Sequence, residues 1–347
     1  MRNVSAIGVD LSKSVIHVHA ADRSGSLLWR KKVRAEHFSE ILAQLPQGST
    51  VYMEACGSSH FWSRKAERFG VKPRQISPQH VKPFVKSQKN DYHDAEAVLE
   101  AGRRPSMRYV STKSEEQQEL QALHNIRSRR VAQRTALINQ MRGILLEHGV
   151  AVAQGPARLK RYLRAEFLTE PELSPAIRRL IEELQAELSN LEAAITEVEQ
   201  QMRQRVKASA MIRRLLTIPG VGLLSATALA VVCGDPKQFK NGRQFAALLG
   251  LVPRQFSTGG KTTLRGITKR GNVYVRMLLI HGARAVIRHA LKKEDPHSLW
   301  IRKLYAAKGM NLTAVAVANK NARIAWRLMT TNDEYDPALP HAPFVIQ

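Results

Sequence analysis

The fold of the N-terminal region is decided by the stretch VSAIGVDLSKSVIHVHAAD, residues 4–22. An apolar segment ends at Asp10, a short polar turn follows, and a second segment then alternates between apolar and polar residues. Such alternation is typical of a β-strand with one buried face. Gly25 marks the next turn, and SLLWRKKV (26–33) has the pattern of a third strand. We therefore predict that the chain begins with three antiparallel strands.

Alternating helix and strand patterns continue to about residue 77. They are a helix in HFSEILAQL (37–45), a strand in TVYMEA (50–55), a helix in HFWSRKAERFG (60–70) and a strand in VKPRQIS (71–77). The order β-β-β-α-β-α-β, with a further helix, is that of the ribonuclease H-like fold. In that architecture the first and fourth strands are neighbours, so we expect Asp10 and Glu54 to lie together at one edge of the sheet.

Two more carboxylates follow in KNDYHDAE, where Asp91 and Asp94 are three residues apart and share one face of a predicted helix. The helix dipole alone would favour acidic residues in a first turn, but it does not explain Asp10 and Glu54 at strand ends. Mg²⁺ takes oxygen ligands from a few carboxylates while substrate phosphate completes its coordination shell. The four carboxylates therefore predict a two-metal site for phosphodiester chemistry.

The balance of charge indicates a polyanionic partner. The chain of 347 residues has 54 Lys and Arg against 29 Asp and Glu, a formal charge of +25. Each Lys or Arg placed on a phosphate releases condensed counterions, which favours binding to nucleic acid. The positive charge is spread along the chain, whereas basic membrane binders usually concentrate it in one amphipathic helix or tail. These features favour a nucleic-acid enzyme and exclude a membrane anchor of that type.

The cysteines and the apolar segments indicate a cytoplasmic protein. Cys56 and Cys233 belong to no C-x-x-C pair, so we expect two buried free thiols and neither a zinc site nor a disulfide framework. We find no signal-peptide pattern at the N-terminus. Residues 215–234 carry no charge, but Pro219 and two glycines interrupt their first third, so we predict a turn and a buried helix and no membrane span.

Long helical patterns occupy the middle of the chain. A capping box formed by Thr112 and Glu115 is predicted to begin a helix that runs to Gly149. After an irregular basic stretch, apolar residues recur at alternating spacings of four and three from Leu184 to Met202, as in a coiled-coil seam. We predict a helical hairpin that also dimerises.

The C-terminal region contains two glycine-rich motifs. IPGVG (218–222) has the form of a helix-hairpin-helix turn, in which Gly220 and Gly222 would let backbone N–H groups approach a phosphate, although any tight turn between helices favours the same residues. STGGK (257–261) predicts a polar loop, followed by the basic turn TKRGN (268–272) and a long amphipathic helix. A hydroxyl beside glycines and cations could act as a nucleophile, but most such loops are turns.

Taken together, these motifs resemble the DEDD-type transposases of the insertion-sequence one-ten family and its eleven-eleven subgroup. The resemblance rests on IGVD, MEACG, NDYHDA, the coiled-coil segment, IPGVG, FAALLGLVPRQFSTGGK and ITKRGN, which occur in the same order over about residues 4–290. So many motifs in one order make chance agreement improbable. The resemblance implies a RuvC-like N-terminal domain and the excision and insertion of a mobile element.

The resemblance also implies roles for particular residues. Asp10, Glu54, Asp91 and Asp94 would bind Mg²⁺, and a serine of the C-terminal domain would attack a DNA phosphate to form a phosphoserine intermediate. The spacing from ITKRGN selects Ser257 as that serine, whereas the spacing from LVPRQF selects Thr258; we favour Ser257 because the family nucleophile is a serine. The predicted phosphate contacts are Lys261, Lys269, Arg270 and Arg276.

Partners and domains follow from the same resemblance. Family members are guided by a structured noncoding (bridge) RNA that pairs with donor and target DNA, and they act as homo-oligomers, here a dimer or tetramer, at the nucleoid. We predict an α/β domain over 1–112, a basic helix and coiled-coil region over 113–207, a helical transposase domain over 208–330 and a flexible tail over 331–347. The alternatives are a Holliday-junction nuclease that activates water and a non-catalytic nucleic-acid-binding protein.

Overall fold

The computed structural model describes residues 1–85 and 91–336. The chain divides into two compact units, one formed by residues 1–117 and the other beginning at Gln118. The predicted boundary at 207/208 falls inside the second unit. Of the predicted tail, residues 337–347 lie outside the described residues, whereas Tyr335 is hydrogen-bonded to Thr217 and His297.

The first unit is a mixed α/β fold built on one six-stranded sheet. Its elements are β1 (Ala6–Asp10), β2 (Val15–Ala21), β3 (Leu27–Arg34), α1 (Phe38–Gln44), β4 (Thr50–Glu54), α2 (Ser59–Arg68), β5 (Lys72–Ile76), α3 (Pro78–Val81), α4 (Asp91–Gly102) and β6 (Tyr109–Val110). The strand order is β3-β2-β1-β4-β5-β6. As predicted, β1 and β4 are parallel neighbours and β1 to β3 are antiparallel. The short strand β6 was not predicted.

The two faces of the sheet are covered differently because side chains alternate along each strand. Ile7, Val9 and Val18 point to one face, where they pack with Phe38 of α1 and Trp62 of α2 in a buried core. The opposite face of β1 carries Ala6, Gly8 and Asp10, and α4 packs there. This alternation places the carboxylate of Asp10 on the α4 side of the sheet.

Helix α4 approaches β1 closely because Gly8 has no side chain. A Cβ atom at Gly8 would lie 2.2 Å from the carbonyl oxygen of Ala95 and 2.7 Å from Cβ of Leu99. At the other end of α4, a Cβ atom at Gly102 would meet the ring of Tyr52 on β4 at 2.2 Å. The two glycines therefore allow the helix to lie directly on the two central strands.

The second unit is largely helical. Its elements are α5, which starts in the first unit and spans Glu115–Glu147, α6 (Pro156–Ala165), α7 (Pro175–Ala208), α8 (Ala210–Leu216), α9 (Leu223–Cys233), α10 (Gly242–Leu248), β7 (Pro253–Thr258), β8 (Lys261–Ile267), α11 (Val273–Ala290) and α12 (Pro296–Thr330). Helix α12 is interrupted at Gly309, whose φ is 71°. None of the helices among the described residues is long and apolar enough to cross a membrane.

Helices α5 and α7 run antiparallel. Arg127 pairs with Glu199 at 2.7 Å and Arg205 pairs with Glu119 at 2.6 Å, so residues later in α5 face residues earlier in α7. The apolar residues of the predicted seam are buried or half-buried, and Leu188 packs in a core with residues of α5 and α6. The seam is therefore covered, at least in part, within one chain.

The start of α5 differs from the prediction. The capping box forms between Ser114 and Gln117: the Ser114 hydroxyl accepts from the Gln117 N–H at 3.2 Å, and the Gln117 amide oxygen accepts from the Ser114 N–H at 3.0 Å. The predicted pair was Thr112 and Glu115. Since Gln is as suitable as Glu at the third helical position, two overlapping boxes were possible in the sequence.

The turn between α8 and α9 packs against α11. Gly220 has a φ of 81°, and a Cβ atom there would lie 2.6 Å from the Val286 side chain and 2.9 Å from the Gly282 carbonyl oxygen. Conversely, a Cβ atom at Gly282 would lie 1.9 Å from the Gly220 carbonyl oxygen. These two glycines let the turn and the helix come into backbone contact.

The predicted polar loop at residues 257–261 is instead a β-hairpin. Strands β7 and β8 pair antiparallel, with an irregularity between Pro253 and Arg254, and Gly259 and Gly260 form the two-residue turn with φ of 57° and 76°. Two successive positive φ values are what a tight hairpin turn requires, and glycine adopts them without strain. The sequence did not suggest strands because both faces of this hairpin are exposed and lack an apolar alternation.

Candidate functional site

The predicted carboxylates converge at the edge of the first unit's sheet. Asp10 is the last residue of β1, Glu54 is the last residue of β4, and Asp91 and Asp94 lie in the first turn of α4. Ligand oxygens of Asp10, Asp91 and Asp94 all lie within 4.8 Å of one another. Such a cluster of oxygen donors fits a hard divalent cation.

The electrostatics of this cluster are unfavourable without a cation. Burial raises the pKa of Asp10, and the charges of Asp94 and Asp91 raise it further. Burial also raises the pKa of Glu54, with added effects from Asp10 and Asp94. A cation bound among these oxygens would replace mutual repulsion by attraction, so the donor set fits a metal.

Asp10, Glu54 and Asp94 line one cleft of about 610 Å³. Its other walls are formed by Pro78, Gln79, Lys82, Val85 and Val98. Lys82 is an exposed cation at this otherwise acidic cleft, and Gln79 adds an amide. The cleft can therefore offer both metal ligands and hydrogen-bond donors to a phosphate group.

His17 is a site residue that the sequence reasoning missed. It is the antiparallel partner of Asp10 on β2, and its Nδ1 atom lies 3.7 Å from a carboxylate oxygen of Asp91. Its ring makes an edge contact with Tyr92, 4.9 Å between centroids. The alternation in VIHVHAAD could have placed His17 on the Asp10 face, because neighbouring antiparallel strands present paired residues on the same side.

Cys56 corrects one expectation about the thiols. Cys233 is buried as predicted, but Cys56 is exposed because it follows the end of β4 at the open edge of the sheet. Burial of the sulfur atom, and then the nearby Glu54 and Asp10, raise the pKa of the Cys56 thiol. The thiol is therefore held in its neutral form beside the carboxylates.

The two candidate nucleophiles lie on opposite faces of the β7–β8 hairpin. Ser257 is paired with Thr262, and its hydroxyl oxygen lies 2.9 Å from the Gln255 amide nitrogen and 3.3 Å from the Thr262 hydroxyl. Thr258 is paired with Lys261. Since successive residues of a strand point to opposite sides, the two hydroxyls cannot face the same phosphate together.

The predicted phosphate contacts fall into two groups. Lys261, Lys269 and Arg270 are exposed. Arg276 is buried, and its Nη1 donates to the carbonyl oxygens of Leu249 at 2.9 Å and Arg270 at 3.0 Å. As a correction to the prediction, the guanidinium of Arg276 therefore ties the TKRGN turn to the end of α10 and is not presented on the surface.

The two glycines of the IPGVG turn also differ. Gly220 is occupied by the contact with α11, whereas Gly222 is exposed, precedes the first residue of α9 and has open space where a Cβ atom would lie. Backbone N–H groups at the first turn of a helix are suited to anions. Of the two, Gly222 is the position at which a phosphate could approach.

Family comparisons cover both units. A family model described as "Transposase IS116/IS110/IS902 family" matches residues 212–299, and a DEDD transposase model of the same group, described as "Transposase", matches residues 7–149. The first match contains the hairpin with Ser257 and Thr258. The second contains all four carboxylates.

Individual relatives match over nearly the whole chain. A protein of Pseudomonas aeruginosa described as a probable family 20 transposase is 48% identical, covering 96% of this chain and 99% of its own length. The transposase for insertion sequence element IS1111A of Coxiella burnetii is 44% identical, covering 96% and 92%. The transposase for insertion sequence element IS1328 of Yersinia enterocolitica is 41% identical, covering 95% and 98%.

Proposed function

We infer the function from the family of the chain, which belongs to the IS116/IS110/IS902 family of insertion-sequence transposases. We propose that it cuts and rejoins DNA strands by attack of a protein hydroxyl on a phosphodiester, assisted by divalent metal. The observation that carries the proposal is the convergence of Asp10, Asp91 and Asp94 within 4.8 Å, at the edge where β1 and β4 end.

The metal in this proposal is Mg²⁺, held by Asp10, Asp91 and Asp94 with Glu54 on the same cleft. Bound there, it would supply positive charge that stabilises the phosphate in the transition state. Asp10 and Glu54 are fixed by strands and Asp91 and Asp94 by one helical turn, so the ligands are held by rigid elements. Lys82 at the cleft would bind a non-bridging phosphate oxygen.

The proposed nucleophile is Ser257. Its Oγ would form a bond to phosphorus while the bond from phosphorus to the 3′ oxygen breaks, leaving a phosphoserine and a free 3′-hydroxyl that takes up a proton. The Gln255 amide lies 2.9 Å from Oγ and would orient it. Attack by the 3′-hydroxyl of another strand on the phosphoserine would reverse these bonds and rejoin DNA.

The proposed partners are donor DNA, target DNA and a bridge RNA encoded by the element, bound by a dimer or tetramer of this chain at the nucleoid. The net charge of +25 and the exposed Lys261, Lys269 and Arg270 support binding to phosphate backbones. The Gly222 end of α9 is a further proposed phosphate contact.

Covalent trapping tests the mechanism. Wild-type protein, its bridge RNA and labelled DNA carrying the element ends are incubated with Mg²⁺ and denatured, and labelled protein is separated by electrophoresis. We expect an adduct with wild type and with Thr258→Ala, and none with Ser257→Ala. Because the two hydroxyls lie on opposite hairpin faces, each variant is the matched control of the other.

The same experiment addresses the alternatives. Cleavage without any adduct would support a Holliday-junction nuclease that activates water. An Asp10→Asn variant that keeps its fold and every activity would support a non-catalytic binding protein. An adduct that persists in Ser257→Ala and disappears in Thr258→Ala would move the nucleophile to Thr258.

A further inference from the structure

The β7–β8 hairpin has two chemically different faces. One face carries the hydroxyl of Ser257 with Gln255, Thr262 and Leu264, as the hydrogen bonds and strand pairs show. The other face carries Phe256 and Thr258, together with a set of cations. Those cations are Arg254, Lys261 and Arg265.

Phe256 and Arg265 form an aromatic and cationic pair on that second face. The guanidinium carbon of Arg265 lies 4.7 Å from the centroid of the Phe256 ring. Phe256 remains 49% exposed. An aromatic ring beside guanidinium groups is the composition of sites that stack on nucleobases and contact the adjoining phosphates.

The surrounding charge favours a polyanion over a protein partner. No aspartate or glutamate occurs between Asp235 and Glu294, so the hairpin and the helices beside it in sequence carry only cations and neutral residues. A protein surface would meet this apolar ring with few compensating charges, whereas a nucleic-acid strand offers bases and phosphates together. The charge pattern therefore favours nucleic acid as the partner of this surface.

The strands of the hairpin do not pair with the six-stranded sheet. The hairpin is a separate two-stranded sheet, and every residue of both strands except Ile267 is exposed. A two-stranded hairpin of this kind is of marginal stability in water unless its side chains pack on something. Stacking on a base would give Phe256 a packing partner.

We propose that Phe256, with Arg265, is a stacking platform for an unpaired base of the DNA strand, on the hairpin face opposite Ser257. The assignment to DNA rests on the proposed function, since Ser257 of the same hairpin is proposed to react with DNA. One face of the hairpin thus holds the strand, and the other presents the hydroxyl.

The test uses the full chain and a fluorescein-labelled oligomer of twelve thymidines, with binding followed by fluorescence anisotropy at fixed salt. Phe256→Ala is expected to weaken binding about tenfold or more, which is the usual effect of losing one stacked base. Phe256→Trp is expected to retain binding. Leu264→Ala is the matched control, because Leu264 is also 49% exposed but lies on the Ser257 face.

Salt dependence separates stacking from charge. Phe256→Ala is expected to leave the slope of log affinity against log salt unchanged. Arg265→Ala is expected to reduce the magnitude of that slope by about 0.7, which corresponds to the loss of one phosphate contact on a single strand. An equal loss of affinity in Phe256→Ala and Leu264→Ala would overturn the proposal. The same measurement is made with a twelve-mer of uridine RNA and with a DNA duplex. Tighter, Phe256-dependent binding of either one would overturn the assignment to unpaired DNA.

A measurement on the wild-type protein covers the possibility that Phe256→Ala unfolds the hairpin. Oligonucleotides with one 5-iododeoxyuridine are cross-linked by light, and the modified peptide is identified by mass spectrometry. Cross-linking at Phe256 supports the platform, and cross-linking confined to other residues contradicts it. Neither assay needs strand cleavage, so a failed serine mechanism would appear as intact, Phe256-dependent binding without an adduct.

Discussion

Gly8 of β1 lies directly beneath Ala95 of α4, so that a Cβ atom on Gly8 would come within 2.2 Å of the Ala95 carbonyl oxygen. Ala95 follows Asp94, and Asp10 lies two residues after Gly8 on the same face of the strand. The absence of a side chain at Gly8 therefore sets the distance between two of the carboxylates. The packing of the fold and the geometry of the metal site depend on the same contact.

Replacing Gly8 by alanine is expected to displace α4 and separate Asp94 from Asp10. The clash is with backbone, which cannot rotate away, so we expect a loss of about 3 kcal/mol in the free energy of unfolding. We also expect strand cleavage to be abolished. Chemical denaturation and the adduct assay measure the two effects.

Gly143→Ala is the control for that substitution. Gly143 is an exposed residue within α5, and a Cβ atom there meets nothing within 4 Å. Alanine is the better helix former by about 0.5–1 kcal/mol, so this variant should be slightly more stable than wild type. A Gly8→Ala protein with unchanged stability and activity would contradict the role given to the Gly8 contact.

Metal binding is expected to raise the melting temperature through the carboxylates. The pKa of Asp10 is raised in the folded state, so the folded protein binds a proton at Asp10 more readily than the unfolded chain. The ionised carboxylate therefore destabilises the metal-free fold at neutral pH, and Asp10→Asn removes this effect. In EDTA we expect Asp10→Asn to melt at or above the wild-type temperature.

Adding Mg²⁺ should reverse that order. At one hundred times its dissociation constant a ligand stabilises by about 2.7 kcal/mol, so the wild-type protein should gain several degrees and Asp10→Asn should gain little. Glu36→Gln, which removes an exposed carboxylate in the turn before α1, should respond as wild type does. Equal Mg²⁺ responses in wild type and Asp10→Asn would remove Asp10 from the metal site.

A buried histidine predicts how stability depends on pH. His124 of α5 lies between the hydroxyls of Tyr274 at 3.1 Å and Thr227 at 3.0 Å, and burial lowers its pKa from 6.5 to about 4. The Thr227 hydroxyl donates to the Leu223 carbonyl oxygen at 2.7 Å, so it accepts the histidine's N–H. A neutral imidazole can then accept from the Tyr274 hydroxyl through Nδ1, and the lowered pKa keeps the ring in that neutral form.

The sign of the effect follows from the lowered pKa. Above pH 6.5 His124 is neutral in both states and has no effect on the pH dependence. As the pH falls from 6.5 to 4 the unfolded chain takes up the proton first, so stability falls by up to about 3 kcal/mol and then levels off. Denaturant unfolding at several pH values measures this slope.

His124→Gln should flatten that slope by nearly one proton, even though it lowers stability at neutral pH. His60 in the first unit also has a pKa lowered to about 4 by burial. Since both proteins contain His60, its contribution cancels when their slopes are compared. Identical slopes in the two proteins would show that the pKa of His124 is the same in the folded and unfolded chains, which contradicts a lowered pKa.

Most parts of the fold that could be predicted are elements with buried apolar residues. Strands β1, β2, β4 and β5 and helices α1, α2 and α4 are of this kind. Strand β3 has no buried residue and was predicted from the turn at Gly25 that precedes it. The positions of the carboxylates could then be predicted, because strand order and helix spacing fix them. The same alternation could also have predicted that His17 lies on the Asp10 face of the sheet.

The remainder depends on contacts that a sequence pattern does not contain. In α11 Arg276 has the same pattern as Arg284 and Arg288, and only the packing of α10 and the TKRGN turn around it makes it buried. In the hairpin, both faces are exposed and the Gly259–Gly260 turn was the sole local signal. A Gly-Gly pair is compatible with a loop or a hairpin, so the strands were missed.

The contrast between Arg276 and Lys269 yields the last prediction. Arg276→Gln would leave the carbonyl oxygens of Leu249 and Arg270 short of a donor in a buried site, which costs about 1–3 kcal/mol per group. We therefore expect a clear loss of stability on chemical denaturation. Lys269, which is exposed, can be changed to Gln with little effect on stability.

DNA binding should show the opposite order. Lys269→Gln removes an exposed charge, so affinity for a DNA duplex should fall and the salt slope should shrink by about one. Arg276→Gln, measured at a temperature where it stays folded, should keep the wild-type salt slope because its guanidinium is bonded to carbonyls and not to phosphate. A reduced slope in folded Arg276→Gln would show that the guanidinium leaves its buried position when DNA binds, and the predicted phosphate contact at Arg276 would then stand.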